Sequence, residues 1–141
     1  MKLVVDSSVA FKWAVREVDT DKALRLREHA RAAVHQLPAP DVFPIELAHG
    51  LTKAERQGRI SRTDGWAAWL AVMADAPSLH PSLSLMPRAY AISSEARIGI
   101  YDCLYVALAE EEGCQLVTAD SRLATVLQKK YAFIVELSLF P

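Results

Sequence analysis

The chain has 141 residues, of which 52% are hydrophobic and 23% charged, a composition that predicts one globular domain over residues 1–141 and excludes a disordered chain. Its formal net charge of -1 gives the whole molecule no general attraction for nucleic acid, so any nucleic-acid site has to be a local patch. No apolar run reaches the length of a membrane span, and Asp6 comes too early for a signal peptide, so a cytoplasmic protein without a membrane partner is expected.

The first half of the chain predicts short strands alternating with helices. The apolar run 2–5 predicts a strand that ends at Asp6, and the serines that follow favour a short helix to about residue 15. An amphipathic helix is expected from about 20 to 36, followed by a stretch at 37–42 whose prolines suit an edge strand. The next helix, 43–57, has a proline in its first turn and ends at Gly58.

The second half continues this alternation. Helices are expected over 61–75 and 84–97, with a loop containing at most one short strand between them. The helix 101–112 is apolar on most of its circumference and ends at a glycine. A strand at 115–118, a helix from about 121 to 130 and a strand at 133–137 complete the chain. This order predicts a three-layer α/β/α fold with a mainly parallel central sheet.

Acidic residues occupy special places in this predicted fold. Asp6 and Asp120 each follow a strand, and the carboxyl ends of parallel strands form the crevice where ligands bind. Asp102 lies in the first turn of a buried helix, where an unpaired carboxylate is costly. It either caps that helix or joins the other two aspartates, and the residues alone leave both interpretations open. Glu46 has the same ambiguity in the first turn of 43–57.

Two further groups of side chains have more than one interpretation. Four basic residues predict either contacts with phosphates or a solvated helix end: Lys53, Arg56, Arg59 and Arg62. The tryptophans Trp66 and Trp69 lie at helical spacing and predict core or homodimer contacts rather than a base-stacking platform.

The acids also occur in a characteristic order and context: Val5-Asp6-Ser7-Ser8-Val9, then Glu46, then Tyr101-Asp102-Cys103-Leu104-Tyr105, then Thr118-Ala119-Asp120. This pattern resembles the PIN-domain ribonucleases, and within them the VapC-type toxins of toxin-antitoxin pairs, over essentially the whole chain. The resemblance implies a quartet of metal ligands, Asp6, Glu46, Asp102 and Asp120. It also implies that Thr118 orients the last acid or a metal-bound water and that Ser8 supports Asp6.

The activity implied by the resemblance is that of a metal-dependent endoribonuclease, a phosphodiester hydrolase. Carboxylate oxygens suit Mg²⁺ or Mn²⁺, and one ion would activate a water for in-line attack while a second stabilises the departing oxygen. Such cleavage leaves a 5′-phosphate and a 3′-hydroxyl. The implied partners are an RNA substrate such as tRNA or rRNA, a cognate antitoxin protein and a second copy of the chain.

The alternative function is a non-catalytic PIN-like module that binds RNA or regulates its operon. The four retained acids argue against it, because clustered carboxylates repel one another and a pure binder has little reason to keep them.

Overall fold

The apolar segments form short strands in the computed structural model, which describes residues 1–32, 35–75 and 78–141. Within these residues the strands are β1 (Leu3–Val5), β2 (Pro38–Pro40), β3 (Ser78–His80), β4 (Gln115–Thr118) and β5 (Ile134–Glu136). The helices described are α1 (Ser7–Phe11), α2 (Thr20–Arg31), α3 (Phe43–Arg56), α4 (Arg62–Ala74), α5 (Ser82–Ala96), α6 (Ile100–Glu112) and α7 (Ser121–Leu127). None of the described helices is long and apolar enough to cross a membrane.

Every strand pair in the described residues is parallel. β4 lies between β1 and β5, with Leu116 beside both Val4 and Ile134. β2 and β3 form a second parallel pair, and a bridge between Lys2 and Gln36 connects the start of β1 to the segment before β2. The predicted parallel sheet is therefore confirmed, although it is divided into two parts.

β1 and β4 are buried on both of their faces, which produces three layers. Val4, Leu116 and Ile134 belong to the larger core cluster, together with the side chains of α6. Leu3, Val5 and Val117 belong to a second cluster with α2, because successive side chains on a strand point to opposite faces. α6 is the most buried helix, and its residues 103–109 are all buried. The predicted α/β/α architecture is confirmed.

Three predicted helix ends are wrong. α1 ends at Phe11 instead of about residue 15, because the next amides bond to carbonyls three residues back in tight turns. α2 ends at Arg31 instead of about 36, since Gln36 bonds to the strand backbone at residues 1 and 3. Residues 33, 34, 76 and 77, which the predictions assigned to a helix and a loop, lie outside the described residues. α7 ends at Leu127 instead of about 130, again in tight turns.

Candidate functional site

Asp6 lies immediately after β1 and is held by hydrogen bonds on both of its carboxylate oxygens. Its Oδ1 accepts from the amides of Ser8 at 3.1 Å and Val9 at 3.4 Å, and also from the Ser8 hydroxyl. Its Oδ2 accepts from the Thr118 hydroxyl at 2.5 Å. The side chain is 4% exposed and caps α1. Both oxygens therefore have a fixed orientation.

Asp120 lies in the equivalent position after β4 and caps α7. Its Oδ1 accepts from the amides of Arg122 at 3.0 Å and Leu123 at 3.2 Å. The turn that carries it is linked to Asp6 by the two hydroxyls, since Ser8 Oγ accepts from the Ala119 amide and Thr118 Oγ1 accepts from the Asp120 amide, both at 3.0 Å. Ser8 and Thr118, which the resemblance implies as supporting residues, therefore lie beside Asp6 and the turn that carries Asp120.

Asp102 and Glu46 come from helices on the other side of the same crevice. Gly99 is the N-cap of α6 and no side chain caps that helix, so the interpretation of Asp102 as an N-cap is wrong. The helix begins at Ile100, which places Asp102 inside the first turn. Glu46 lies in the first turn of α3, and its Oε1 accepts a 2.6 Å hydrogen bond from the Tyr105 hydroxyl.

The four carboxyl groups act on one another electrostatically. Burial and, to a smaller extent, the charge of Asp102 raise the pKa of Asp6 to about 6, against the opposing effect of its hydrogen bonds. Burial followed by the charges of Asp102 and Asp6 raises the pKa of Glu46 to about 6 as well. The pKa of Asp102 is raised by burial and by Asp120, and Arg122 opposes this. Repulsion of this kind connects all four acids.

A groove of about 880 Å³ opens onto these acids. Glu46, Asp102 and Asp120 line one end of it, and it extends along α3 towards Phe11 and Lys12. Asp6 lies beneath, at the end of β1. A smaller recess of about 60 Å³ is also lined by Asp102 and Asp120 and shares no other lining residue with the groove.

Hard carboxylate oxygens gathered at one crevice are the ligand type that Mg²⁺ and Mn²⁺ prefer. In their present rotamers, no three His, Cys, Asp or Glu side chains among the described residues are grouped so that they could hold an ion. Several carboxylate oxygens are already occupied by hydrogen bonds, and like charges oppose closer approach. The donor set fits such an ion in chemistry, and holding one requires side-chain rotation.

Two of the four predicted basic residues reach the groove. Lys53 and Arg59 line it, whereas Arg56 and Arg62 are exposed and line none of the described pockets. Arg59 pairs with Glu17 at 2.8 Å, and its guanidinium group lies 5.5 Å from the centre of the ring of Phe11.

The sequence interpretation missed three residues beside the acids: Tyr105, Arg97 and Arg122. Tyr105 is 1% exposed on the most apolar helix, and a buried tyrosine usually needs a partner for its hydroxyl, so its presence was a usable signal. The two arginines line the small recess with Asp102 and Asp120.

Comparison with known proteins agrees with this arrangement. The PIN-domain family model matches residues 3–128 of the chain. The chain belongs to the PIN-domain family. Its relatives include VapC ribonuclease Mb0985 of Mycobacterium bovis, which is 31% identical over 122 residues, 86% of this chain and 88% of the relative. This PIN domain is therefore of the VapC type.

Two solved structures share the fold at low sequence identity. The crystal structure of PAE2754 from Pyrobaculum aerophilum has a TM-score of 0.68 at 21% identity, over 98% of this PIN domain and 93% of that chain. The crystal structure of VapBC2 from Rickettsia felis, bound to a DNA fragment from their promoter, has a TM-score of 0.61 at 14% identity, over 96% of this PIN domain and 97% of that chain. At these identities the two likenesses concern the fold alone.

Proposed function

We propose that this PIN domain is a Mg²⁺- or Mn²⁺-dependent endoribonuclease, the toxin of a toxin-antitoxin pair, acting in the cytoplasm as a single domain over residues 1–141. The observation that supports this most strongly is that carboxylates from four different elements lie at one groove, with Glu46, Asp102 and Asp120 lining it and Asp6 buried beneath. Burial and mutual repulsion raise the pKa of three of them, so that keeping these groups ionised costs free energy. A bound divalent cation would offset that cost. The relationship to VapC ribonucleases supports the same activity.

The chain's own residues have distinct roles in this proposal. Asp6, Glu46, Asp102 and Asp120 would hold the metal. A bound divalent ion supplies charge neutralisation and an activated water for in-line attack on phosphorus. Ser8 and Thr118 orient the Asp6 carboxylate through their hydroxyls, and Thr118 also fixes the backbone of Asp120.

The groove is the proposed path of the RNA towards the acids. Lys53 and Arg59 line it and would bind phosphates, whereas Arg56 and Arg62 would act only at longer range. Arg59 would have to exchange its carboxylate partner, Glu17, for a phosphate oxygen. Such local contacts are needed because a net charge of -1 gives the molecule no general attraction for RNA.

The proposed protein partners are a cognate antitoxin and a second copy of the chain. α3 and α4 expose apolar side chains, with Ile45 72%, Trp66 59% and Leu70 48% exposed. Trp66 stacks on Trp69, which is itself fixed by a hydrogen bond to the Pro44 carbonyl. An exposed apolar surface of this kind favours a homodimer. Light scattering at micromolar concentration tests it: a dimer that Trp66→Ser converts to a monomer is expected, and a wild-type monomer contradicts it.

The activity is tested by incubating the purified protein with tRNA and rRNA in Mg²⁺ or Mn²⁺ and mapping the ends of the fragments. Products with a 5′-phosphate and a 3′-hydroxyl that disappear in EDTA are expected. Cleavage that persists unchanged in EDTA, or that leaves cyclic phosphates, contradicts the proposal. Binding of RNA without cleavage in either ion would support the non-catalytic module.

A further inference from the structure

Arg97 and Arg122 both lie where another residue type would suit the backbone better. Arg97 ends α5 with φ 56° and ψ 43°, a left-handed conformation that glycine adopts at helix ends without steric cost. Arg122 is the second residue of α7, where the helix dipole disfavours a cation and favours an acid. Residue types that lower the stability of the local backbone are expected at positions that serve a function.

The same two arginines share one small feature of the surface. Both line the recess of about 60 Å³ that also contains Asp102 and Asp120. Both side chains are exposed, and neither forms a salt bridge with any residue that the structure describes. Their guanidinium groups therefore remain available to a ligand.

The recess and the groove meet at the same two acids. Asp102 and Asp120 line both, with Lys53 and Arg59 on the groove side and the two arginines on the recess side. A strand of RNA whose phosphate lies at the acids would extend in both directions. Cations on only one side would hold one half of that strand, whereas cations on both sides fix the phosphodiester for in-line attack.

We propose that Arg97 and Arg122 form a second phosphate-binding site, which holds the RNA backbone on the opposite side of the acids from the groove. This inference rests on the proposed ribonuclease function. Guanidinium groups suit it because their planar N–H donors bind two phosphate oxygens at once. The two arginines position the substrate and take no part in bond cleavage.

The test measures binding of a short, mixed-sequence single-stranded RNA by fluorescence anisotropy over a range of salt concentrations. Glu46→Gln serves as the common background, because it is expected to prevent cleavage and lies outside the recess. Arg97→Gln and Arg122→Gln are added singly and together. Arg25→Gln is the matched control, since Arg25 is an exposed arginine of α2 that lines neither the groove nor the recess.

Each recess substitution is expected to weaken binding and to reduce the slope of log affinity against log salt by about 0.7, and the double variant by about 1.4. The control should change neither. Arg97→Gly should weaken RNA binding without lowering the melting temperature, because glycine accepts the left-handed conformation. That result separates a role in binding from a role in folding.

Three results would overturn the inference. One is a double variant that binds RNA with the affinity and salt slope of the background protein. Another is a control variant whose RNA affinity falls as much as that of the recess variants. Loss of antitoxin binding with RNA binding unchanged would assign the recess to an acidic antitoxin segment. If the wild-type protein neither binds nor cleaves RNA, the proposed function fails first, and that result is distinguishable because it appears before any arginine is changed.

Discussion

The two sides of the acidic crevice are built differently. On the strand side, Asp6 and Asp120 accept hydrogen bonds from backbone amides and cap helices, and Asp6 also accepts from two hydroxyls. On the helix side, Glu46 accepts one hydrogen bond from Tyr105, and Asp102 caps no helix. The strand side is therefore held by several backbone and hydroxyl hydrogen bonds, whereas on the helix side Glu46 has the bond from Tyr105 and Asp102 is not tied to a helix end.

This difference separates structure from function among four similar residues. A carboxylate that caps a helix contributes to stability and to metal binding together, so its removal affects both. Asp102 has no such structural duty, and its raised pKa shows that the folded chain disfavours its charge. A substitution at Asp102 therefore reports on the proposed chemistry with the least disturbance of the fold.

The largest expected effect is on RNA cleavage by Asp102→Asn. The rate should fall at least about 100-fold, since even residues that only support a metal ligand change activity by 10- to 100-fold. The melting temperature of the metal-free protein should stay the same or rise, because the substitution removes a repelling charge at little change in volume. If purified Asp102→Asn cleaves RNA at the wild-type rate, Asp102 has only a structural role.

The second prediction concerns pH. The pKa values of Asp6 and Glu46 lie near 6, above their ordinary values, so the folded state holds more protons than the unfolded state between about pH 4 and 6. Stability without metal should therefore fall as pH rises through this window.

Urea unfolding of wild type and Asp6→Asn across this range measures the contribution of Asp6. Because the Asp6 charge also raises the pKa of Glu46, the difference between the two proteins includes that coupling. A wild-type stability that rises relative to the variant between pH 4 and 6 would show that Asp6 has a lowered pKa in the folded state.

The third prediction compares the effect on stability of removing an acid from each side of the crevice. Asp120→Ala removes the cap of α7 and should lower the free energy of unfolding by about 1 kcal/mol, within a usual range of roughly 0.5–2 kcal/mol. Asp102→Ala removes no cap and should cost nothing or stabilise the protein. Urea unfolding without metal measures both, and equal losses in the two variants would remove the distinction.

The smallest expected effect concerns the groove beside Glu46. Lys53 and Arg56 are exposed cations in the last turn of α3, but only Lys53 lines the groove. Lys53→Gln should reduce the salt slope of RNA binding by about 0.7, and Arg56→Gln should leave it nearly unchanged. Salt titrations by fluorescence anisotropy distinguish them. Equal effects would mean that the whole helix end acts only through its general charge.

Much of this arrangement was predictable because it depends on local pattern. Apolar runs and helix ends predicted the parallel strands, and a parallel strand followed by an acid predicted the positions of Asp6 and Asp120. The hydrogen bond from Tyr105 to Glu46 joins residues 59 positions apart. A buried tyrosine indicates that its hydroxyl has a partner, but no local pattern identifies Glu46 as that partner. The end of α2 was mispredicted for a similar reason, since Gln36 bonds to the first strand.

The most direct test of the metal site is a titration of the purified protein with Mn²⁺, followed by electron paramagnetic resonance of the free ion. Wild type should bind Mn²⁺ and, at a hundredfold excess over the dissociation constant, gain roughly 2.7 kcal/mol in its free energy of unfolding. Asp102→Asn should bind at least about tenfold more weakly while its metal-free melting temperature is maintained. Equal affinity of the two proteins for Mn²⁺, or no saturable binding by wild type, would contradict a metal site formed by Asp6, Glu46, Asp102 and Asp120.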